Sequence, residues 1–138
     1  MKLKAEKIVD AMMAKDRFSK WLGIERVEEK EGYCKLQMII REEMCNGFEI
    51  AHGGISFSLA DSALAFASNT HGQHALSIET SISHIKPLKP GDIITATATE
   101  KSKTKRIAIY EVRIENAEEE LVALFKGTVF RKEKEWEV

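Results

Sequence analysis

The chain opens with apolar residues spaced as on one face of a helix. Ala5, Ile8 and Met12 recur at intervals of three and four, which predicts an amphipathic helix over roughly residues 3–15. The next apolar cluster, FSKWLG, is typical of a short helical turn that ends at Gly23, since glycine readily adopts the left-handed conformation found after a helix. The N-terminal part of the chain is therefore predicted to be helical.

A long apolar segment lies in the middle of the chain. Residues 52–70 have the length of a helix, contain no proline and are apolar nearly all round, which predicts a helix buried on most of its sides. Gly72 is its expected C-cap. Before it, residues 24–40 have the pattern of two strands joined by a tight turn at residues 30–32, and residues 42–51 are expected to form a loop.

The last part of the chain has four segments with the alternation and the β-branched content of strands. They cover residues 74–86, 92–100, 106–114 and 120–131, and the only prolines lie in the turn KPLKPGD after the first of them. In the first segment the alternation predicts two faces. One is expected to hold Leu76, Ile78 and Ile82, and the other Ser77, Glu79, Ser81 and Ser83.

The order of these elements favours an α+β domain. Strands come in runs on either side of one buried helix, so the sheet is expected to be antiparallel and to curl around that helix. This architecture is called a hotdog. The chain contains no internal repeat, no low-complexity tract and no linker, so residues 1–138 are predicted to form a single domain.

Composition and charge exclude several classes of function. The 21 lysines and arginines nearly balance the 22 aspartates and glutamates, so the net charge of −1 gives no indication of nucleic-acid binding. Cys34 and Cys45 have no metal-binding spacing and are expected to be free thiols. The N-terminus lacks a continuous apolar region, and the central segment is too short to span a bilayer. We therefore expect a cytoplasmic protein without a membrane partner.

One carboxylate stands alone in the central segment. Asp61 is the only residue with a formal charge between Glu49 and Glu79, although 31% of the chain is charged. An unpaired carboxylate in apolar surroundings is costly, and its pKa rises. Either a neighbouring group at a subunit contact satisfies Asp61, or its perturbed state is used in chemistry.

A glycine pair marks the predicted start of the same helix. Gly53 and Gly54 let a ligand approach the backbone, where unpaired N–H groups and the helix dipole favour negative charge. Such a position suits the oxyanion that develops on a carbonyl. Asn46 and His52 lie just before the pair and are further candidates. For the glycines alone, a simple junction between loop and helix is the alternative.

Histidine spacing gives little support for a metal site. His71 and His74 are three residues apart, but they flank the turn around Gly72 instead of sharing one face of a helix. The other two histidines, His52 and His84, lie far from them in the sequence. No metal is therefore expected.

Taken together, the glycine pair, Asp61 and the two polar residues upstream resemble the motif of hotdog-fold acyl-CoA thioesterases of the phenylacetate-pathway (PaaI-like) branch. The later segment LSIETSISHIKPLKPGD is similar to a strand and a Pro-Gly turn of that family, and the resemblance extends from about Trp21 to Arg131. It implies an enzyme that hydrolyses an aryl- or a short- or medium-chain acyl-CoA to free acid and CoA. Coenzyme A is then part of the substrate, and no cofactor is implied.

The resemblance also implies roles for individual residues. Gly53 gives its N–H to the thioester carbonyl, Asp61 acts as nucleophile or general base, and Asn46 and His52 orient the substrate or the attacking water. Ser77 resembles a serine that helps to hold this water in some members. Basic residues bind the CoA nucleotide in the family. The candidates for substrate binding here are Gly54, Lys86, Lys89, Lys103, Lys105 and Arg106.

Helix geometry adds a constraint on such a site. Gly53 and Asp61 are eight residues apart, so their Cα atoms lie about 12 Å apart along one helix. Both groups must nevertheless lie within about 3 Å of the reacting atoms. Antiparallel helices from two subunits satisfy this requirement. The sequence therefore predicts a homodimer, or a homotetramer made of such dimers, with each active site shared between two chains.

Two other functions remain open on the same fold. One is an acyl-thioester dehydratase or hydratase, in which His52 and Asp61 would transfer protons at the acyl chain. The other is a non-catalytic acyl-CoA binding module, since a fold alone does not fix function. The HGG sequence suits carbonyl polarisation better than proton transfer, and a protein that only binds has no need of Asp61.

Overall fold

The computed structural model describes residues 1–138, with three helices and six strands. The elements are α1 Lys4–Lys15, α2 Arg17–Leu22, β1 Glu25–Lys30, β2 Tyr33–Ile39, α3 Gly53–Asn69, β3 Gln73–His84, β4 Ile93–Lys103, β5 Ile107–Glu115 and β6 Leu121–Glu135. Each predicted helix and strand is present. The predicted loop before α3 also contains a 3₁₀ turn, Glu42–Met44. None of the helices is long and apolar enough to cross a membrane.

The six strands form one antiparallel sheet in the order β1-β2-β4-β5-β6-β3. α3 contacts all six strands, so the sheet curls around it. This arrangement confirms the predicted α+β hotdog architecture. β3 pairs only with β6 and forms one edge of the sheet, which leaves its other side without a hydrogen-bonded partner within the chain.

α3 is buried because small and apolar side chains occupy most of its surface. Leu59, Ala60 and Ala63 are fully buried. The Leu64 side chain packs directly against the backbone of β6 at Gly127. A Cβ atom at residue 127 would lie 3.0 Å from Leu64 Cδ1 and closer still to Cδ2. The glycine therefore lets the helix approach the sheet closely, which fixes the depth of α3 beneath it.

The predicted faces of β3 are wrong for part of the strand. Leu76 pairs with Phe130 on the outer face, whereas Ile82 pairs with Phe125, whose ring is buried in the core. A β-bulge at Ile78 inserts one residue and reverses the alternation there. Leu76 and Ile78 are consequently exposed in the single chain.

The end of α3 also differs from the prediction. The helix ends at Asn69 with Thr70 as the C-cap, and Gly72 comes two residues later with a φ of 112°. The buried Asn69 amide donates to the carbonyls of Ala65 and Ala75. These side-chain hydrogen bonds fix the helix end from within, so Gly72 is needed for the following turn and not for the cap.

Candidate active site

α3 begins with a backbone N–H group that has no partner in the chain. His52 is the N-cap, and its Nδ1 accepts a hydrogen bond of 2.9 Å from the Gly54 N–H. The Ile55 N–H donates to the His52 carbonyl at 2.9 Å. Gly53 N–H makes no hydrogen bond and lies at the positive end of the helix dipole. A negatively charged oxygen is the complement that this position favours.

The helix cap limits the groups that two predicted site residues, Gly54 and His52, can offer to a substrate. Because the Gly54 N–H is occupied by His52 Nδ1, Gly54 has no backbone donor to offer a substrate. A Cβ at Gly54 would lie 3.1 Å from the same nitrogen, so glycine makes the cap possible. His52 itself is exposed and has only Nε2 free for a ligand.

A cavity of about 330 Å³ opens beside Gly53. Asn46 lines it from the loop before α3, and its Oδ1 accepts a hydrogen bond of 2.9 Å from the Phe48 N–H. This bond closes a tight turn and fixes the side chain, while Nδ2 makes no hydrogen bond within the chain. Asn46 therefore presents a free amide donor in the cavity of Gly53.

His84 is a further polar residue of this cavity, and the sequence reasoning assigned it no role there. It is the last residue of β3, and its Nδ1 lies 3.3 Å from Ser56 Oγ on the first turn of α3. The residue has the same parity as Ile82, which faces the helix. Alternate residues of a strand lie on the same face, so the sequence position of His84, two residues after Ile82, was the signal that could have placed it over the start of the helix.

Asp61 lies in a different cavity, of about 260 Å³, between α3 and α2. It is half-buried and forms neither a hydrogen bond nor an ion pair in the chain, and burial raises the pKa of its carboxyl group. Asp16, in the same cavity, differs because its carboxylate accepts hydrogen bonds from Ser19 N and Oγ at 2.9 and 2.6 Å. Asp61 is therefore a half-buried carboxylate without a partner in the chain.

Ser77 does not join either cavity in the single chain. It pairs with the buried Val129, which places it on the helix-facing side of β3, but its side chain is exposed. Neither the cavity of Gly53 nor that of Asp61 includes it. Its proposed role in holding water stays a prediction.

The basic residues predicted to bind the CoA nucleotide do not lie together in one chain. Lys86 lines the cavity of Gly53 and forms an ion pair with Glu120. Lys89 lies in a neighbouring cavity that it shares with Asn46. The other three, at the turn between β4 and β5, are Lys103, Lys105 and Arg106. This turn lies beside Arg131 of β6, which pairs with the start of β3 and is therefore far from His84 at its end. Lys86 is the basic candidate beside Gly53.

The two histidines with a spacing of three have other neighbours. His71 Nε2 lies 2.7 Å from Glu100 Oε1, and the His74 ring stacks on Trp136 with 4.1 Å between centroids. No group of three metal-binding side chains lies together. The absence of a resident metal stays a prediction.

Comparison with known proteins gives the class to which this fold and site belong. Residues 48–123 match the model of the thioesterase superfamily, a span that includes Gly53, His84 and Asp61. The chain belongs to this superfamily. This confirms the resemblance seen in the sequence.

Individual relatives cover nearly the whole chain. Acyl-coenzyme A thioesterase PaaI of Escherichia coli is 37% identical over 95% of this chain and 94% of its own. The structure of the E. coli PaaI protein superimposes with a TM-score of 0.93 at 36% identity, covering 96% of each chain. Human acyl-coenzyme A thioesterase 13 is 29% identical over 79% of this chain and 80% of its own. The chain is thus PaaI-like along its length.

Proposed function

We propose that this chain hydrolyses acyl-CoA thioesters to a free acid and CoA. The observation that carries the proposal is that one buried helix presents two groups without partners, the Gly53 N–H and the Asp61 carboxylate. A backbone donor at a helix start and a carboxyl whose pKa is raised by burial, each lining a cavity, are typical of a functional site. The names of the E. coli and human relatives, both acyl-coenzyme A thioesterases, support the same reaction.

In the proposed reaction the thioester oxygen accepts a hydrogen bond from the Gly53 N–H, and the helix dipole stabilises the negative charge that develops on it. Asp61 either attacks the carbonyl carbon itself or removes a proton from the attacking water. The new C–O bond forms first and gives a tetrahedral oxyanion, and the C–S bond breaks when this intermediate collapses. A thiol ionises near pH 8.5, so the thiolate leaves without a strong acid and takes its proton from solvent. With Asp61 as nucleophile, water then cleaves the acyl-aspartate and regenerates the carboxylate.

We infer that two chains build each site. Gly53 and Asp61 open into separate cavities of one chain, about 12 Å apart along the helix. The unpaired edge of β3 and the exposed Leu76 and Ile78 offer a surface on which a second copy can dock with its α3 antiparallel. Asp61 of one chain then meets Gly53 of its partner. A homodimer, or a homotetramer of such dimers, is the assembly that completes the site.

The surroundings of Asp61 support an aryl or a short- to medium-chain acyl group. Phe18 and Phe57 border the cavity of Asp61, so the group attached to the carbonyl would meet apolar rings. In the partner's half of the site, Asn46 Nδ2 and His52 Nε2 are free to orient the substrate, and Lys86, the basic side chain that lines the cavity of Gly53, is the candidate to bind a CoA phosphate. The cytoplasm, where CoA thioesters are metabolised, is the proposed location.

A panel of acyl-CoA substrates tests this function. Purified protein should release thiol, detected with a thiol-specific reagent, from an aryl-acyl-CoA and from saturated acyl-CoAs of increasing length, and the Asp61→Asn variant should not. Hydration of an enoyl-CoA without thiol release would instead favour the hydratase. Calorimetric binding of acyl-CoA without any turnover would favour the binding module.

A further inference from the structure

We propose that His84 is a second hydrogen-bond donor to the thioester oxygen, acting beside the Gly53 N–H. The inference rests on the proposed function and adds a residue to its oxyanion site. It follows from which donors remain at the start of α3 and from what faces Gly53.

The backbone supplies one free donor at this position. Of the first three N–H groups of α3, Gly54 N–H is occupied by His52 Nδ1 and Ile55 N–H by the His52 carbonyl, which leaves the Gly53 N–H. An oxyanion is better stabilised when more than one preorganised donor points at it. Any second donor at the site must therefore come from a side chain.

His84 is the side chain that faces Gly53 most closely. A Cβ built on Gly53 would lie 3.1 Å from His84 Nε2, against 3.5 Å from Cε1 and 3.7 Å from Cδ2. The ring thus turns its nitrogen, and not a carbon edge, toward the space where a side chain of residue 53 would begin. Nε2 makes no hydrogen bond in the chain. A carbonyl oxygen bound to the Gly53 N–H beside this nitrogen gives Nε2–H an acceptor.

Ser56 contacts the ring nitrogen of His84 that decides its tautomer. Its hydroxyl lies 3.3 Å from His84 Nδ1 and 3.2 Å from the Gly53 carbonyl oxygen, so its single proton has two acceptors to choose between. When the hydroxyl donates to Nδ1, the neutral imidazole carries its proton on Nε2, aimed at the cavity. Ser56 is thereby a positioning residue for His84.

The same contact explains why residue 53 is glycine. A methyl group there would lie 3.1 Å from Nε2, tighter than side-chain packing tolerates without a shift, and would occupy the space beside the N–H. Glycine leaves that space to the substrate. His84 and Gly53 therefore define one small pocket from two elements, the end of β3 and the start of α3.

Replacing His84 tests the proposal. His84→Phe keeps an aromatic ring and removes the donor, so kcat for thiol release should fall at least about 10-fold, a conservative value for the loss of one oxyanion donor. KM should change little. His84→Gln retains an N–H donor and should recover part of kcat. His74→Phe is the matched control, because His74 lies at the other end of β3 against Trp136, and it should keep wild-type kcat.

The role of Ser56 is tested in the same assay by a double-mutant cycle. Ser56→Ala should lower kcat in the wild-type background and have no further effect in His84→Phe, because its action passes through the imidazole. A folded His84→Phe variant with wild-type kcat, or with only a raised KM, would overturn the inference while leaving the thioesterase function intact. A wild-type protein that releases no thiol from any acyl-CoA would overturn both.

Discussion

Gly53 and Asp61 lie on the same helix but open into two different cavities. The Gly53 cavity is shared with Asn46 and His84, and the Asp61 cavity with Phe18 and Phe57. Eight residues of helix keep the two groups about 12 Å apart, and no rotation of the Asp61 side chain closes that distance. If both groups act on one carbonyl, each chain of a dimer contributes Gly53 to one active site and Asp61 to the other.

Asp61→Asn should lower kcat at least about 100-fold, because the amide neither attacks a carbonyl nor accepts a proton from water. Asp16→Asn is the matched control. It makes the same change in the same cavity, and asparagine still caps α2. Its kcat should stay near that of the wild type. Full activity in a folded Asp61→Asn protein would remove the carboxylate from the mechanism.

Asp61→Asn should also stabilise the fold at neutral pH. Burial raises the folded-state pKa of Asp61 above its ordinary value of 3.8, so the charged form costs folding free energy. The cost is absent below pH 3.8, appears as the pH rises past that value, and is complete above the raised pKa. Urea unfolding of both proteins between pH 3 and 8 measures it. The variant's advantage should grow with pH, and an advantage that shrank instead would show that Asp61 has a partner that stabilises its charge.

The backbone donor at residue 53 can be separated from its side-chain space. Gly53→Ala adds a Cβ near His84 but keeps the N–H, whereas Gly53→Pro adds a Cβ together with the rest of its ring and removes the donor. Proline is tolerated at the first helical position, and His52, with ψ of 138°, already has the conformation that precedes proline. Both variants should lose kcat, and the proline variant at least about 10-fold more. Equal activity of the two folded variants would contradict the oxyanion role.

Gly127→Ala should destabilise the fold. The new methyl group would overlap the Leu64 side chain and push α3 from the sheet, at a cost of about 1–3 kcal/mol. Gly47→Ala is the control, since nothing lies within 4 Å of its added Cβ. Urea denaturation at one protein concentration compares them. A Gly127→Ala midpoint equal to that of Gly47→Ala would show that the helix has room to move.

Much of the fold could be predicted from the sequence because the apolar patterns extend over many residues. Seventeen residues of α3 are small or apolar almost without interruption, and in a chain otherwise rich in strands a curled sheet buries such a helix. The faces of β3 could not be predicted, because one extra residue at Ile78 reverses the alternation and no residue type announces a bulge.

The candidate site could be predicted only in part, for a similar reason. Gly53 and Asp61 were apparent because a glycine pair and an isolated charge are conspicuous in an apolar segment. His84 is a single histidine at the end of a strand, and its importance depends on the packing of β3 over the first turn of α3. Such contacts between distant segments become visible only in the fold.

Subunit complementation tests most directly the claim that each active site is shared between two chains. Asp61→Ala subunits and Asn46→Ala subunits, each expected to be nearly inactive alone, are unfolded, mixed in equal amounts and refolded. Asn46 shares the cavity of Gly53, so a mixed dimer has one site with both groups intact and one with neither. Random exchange makes half of the dimers mixed, and activity should recover to about a quarter of the wild-type value. Verified mixed dimers that show no recovery would contradict the shared site. They would show that Asp61 and Asn46 of the same chain act together in one site.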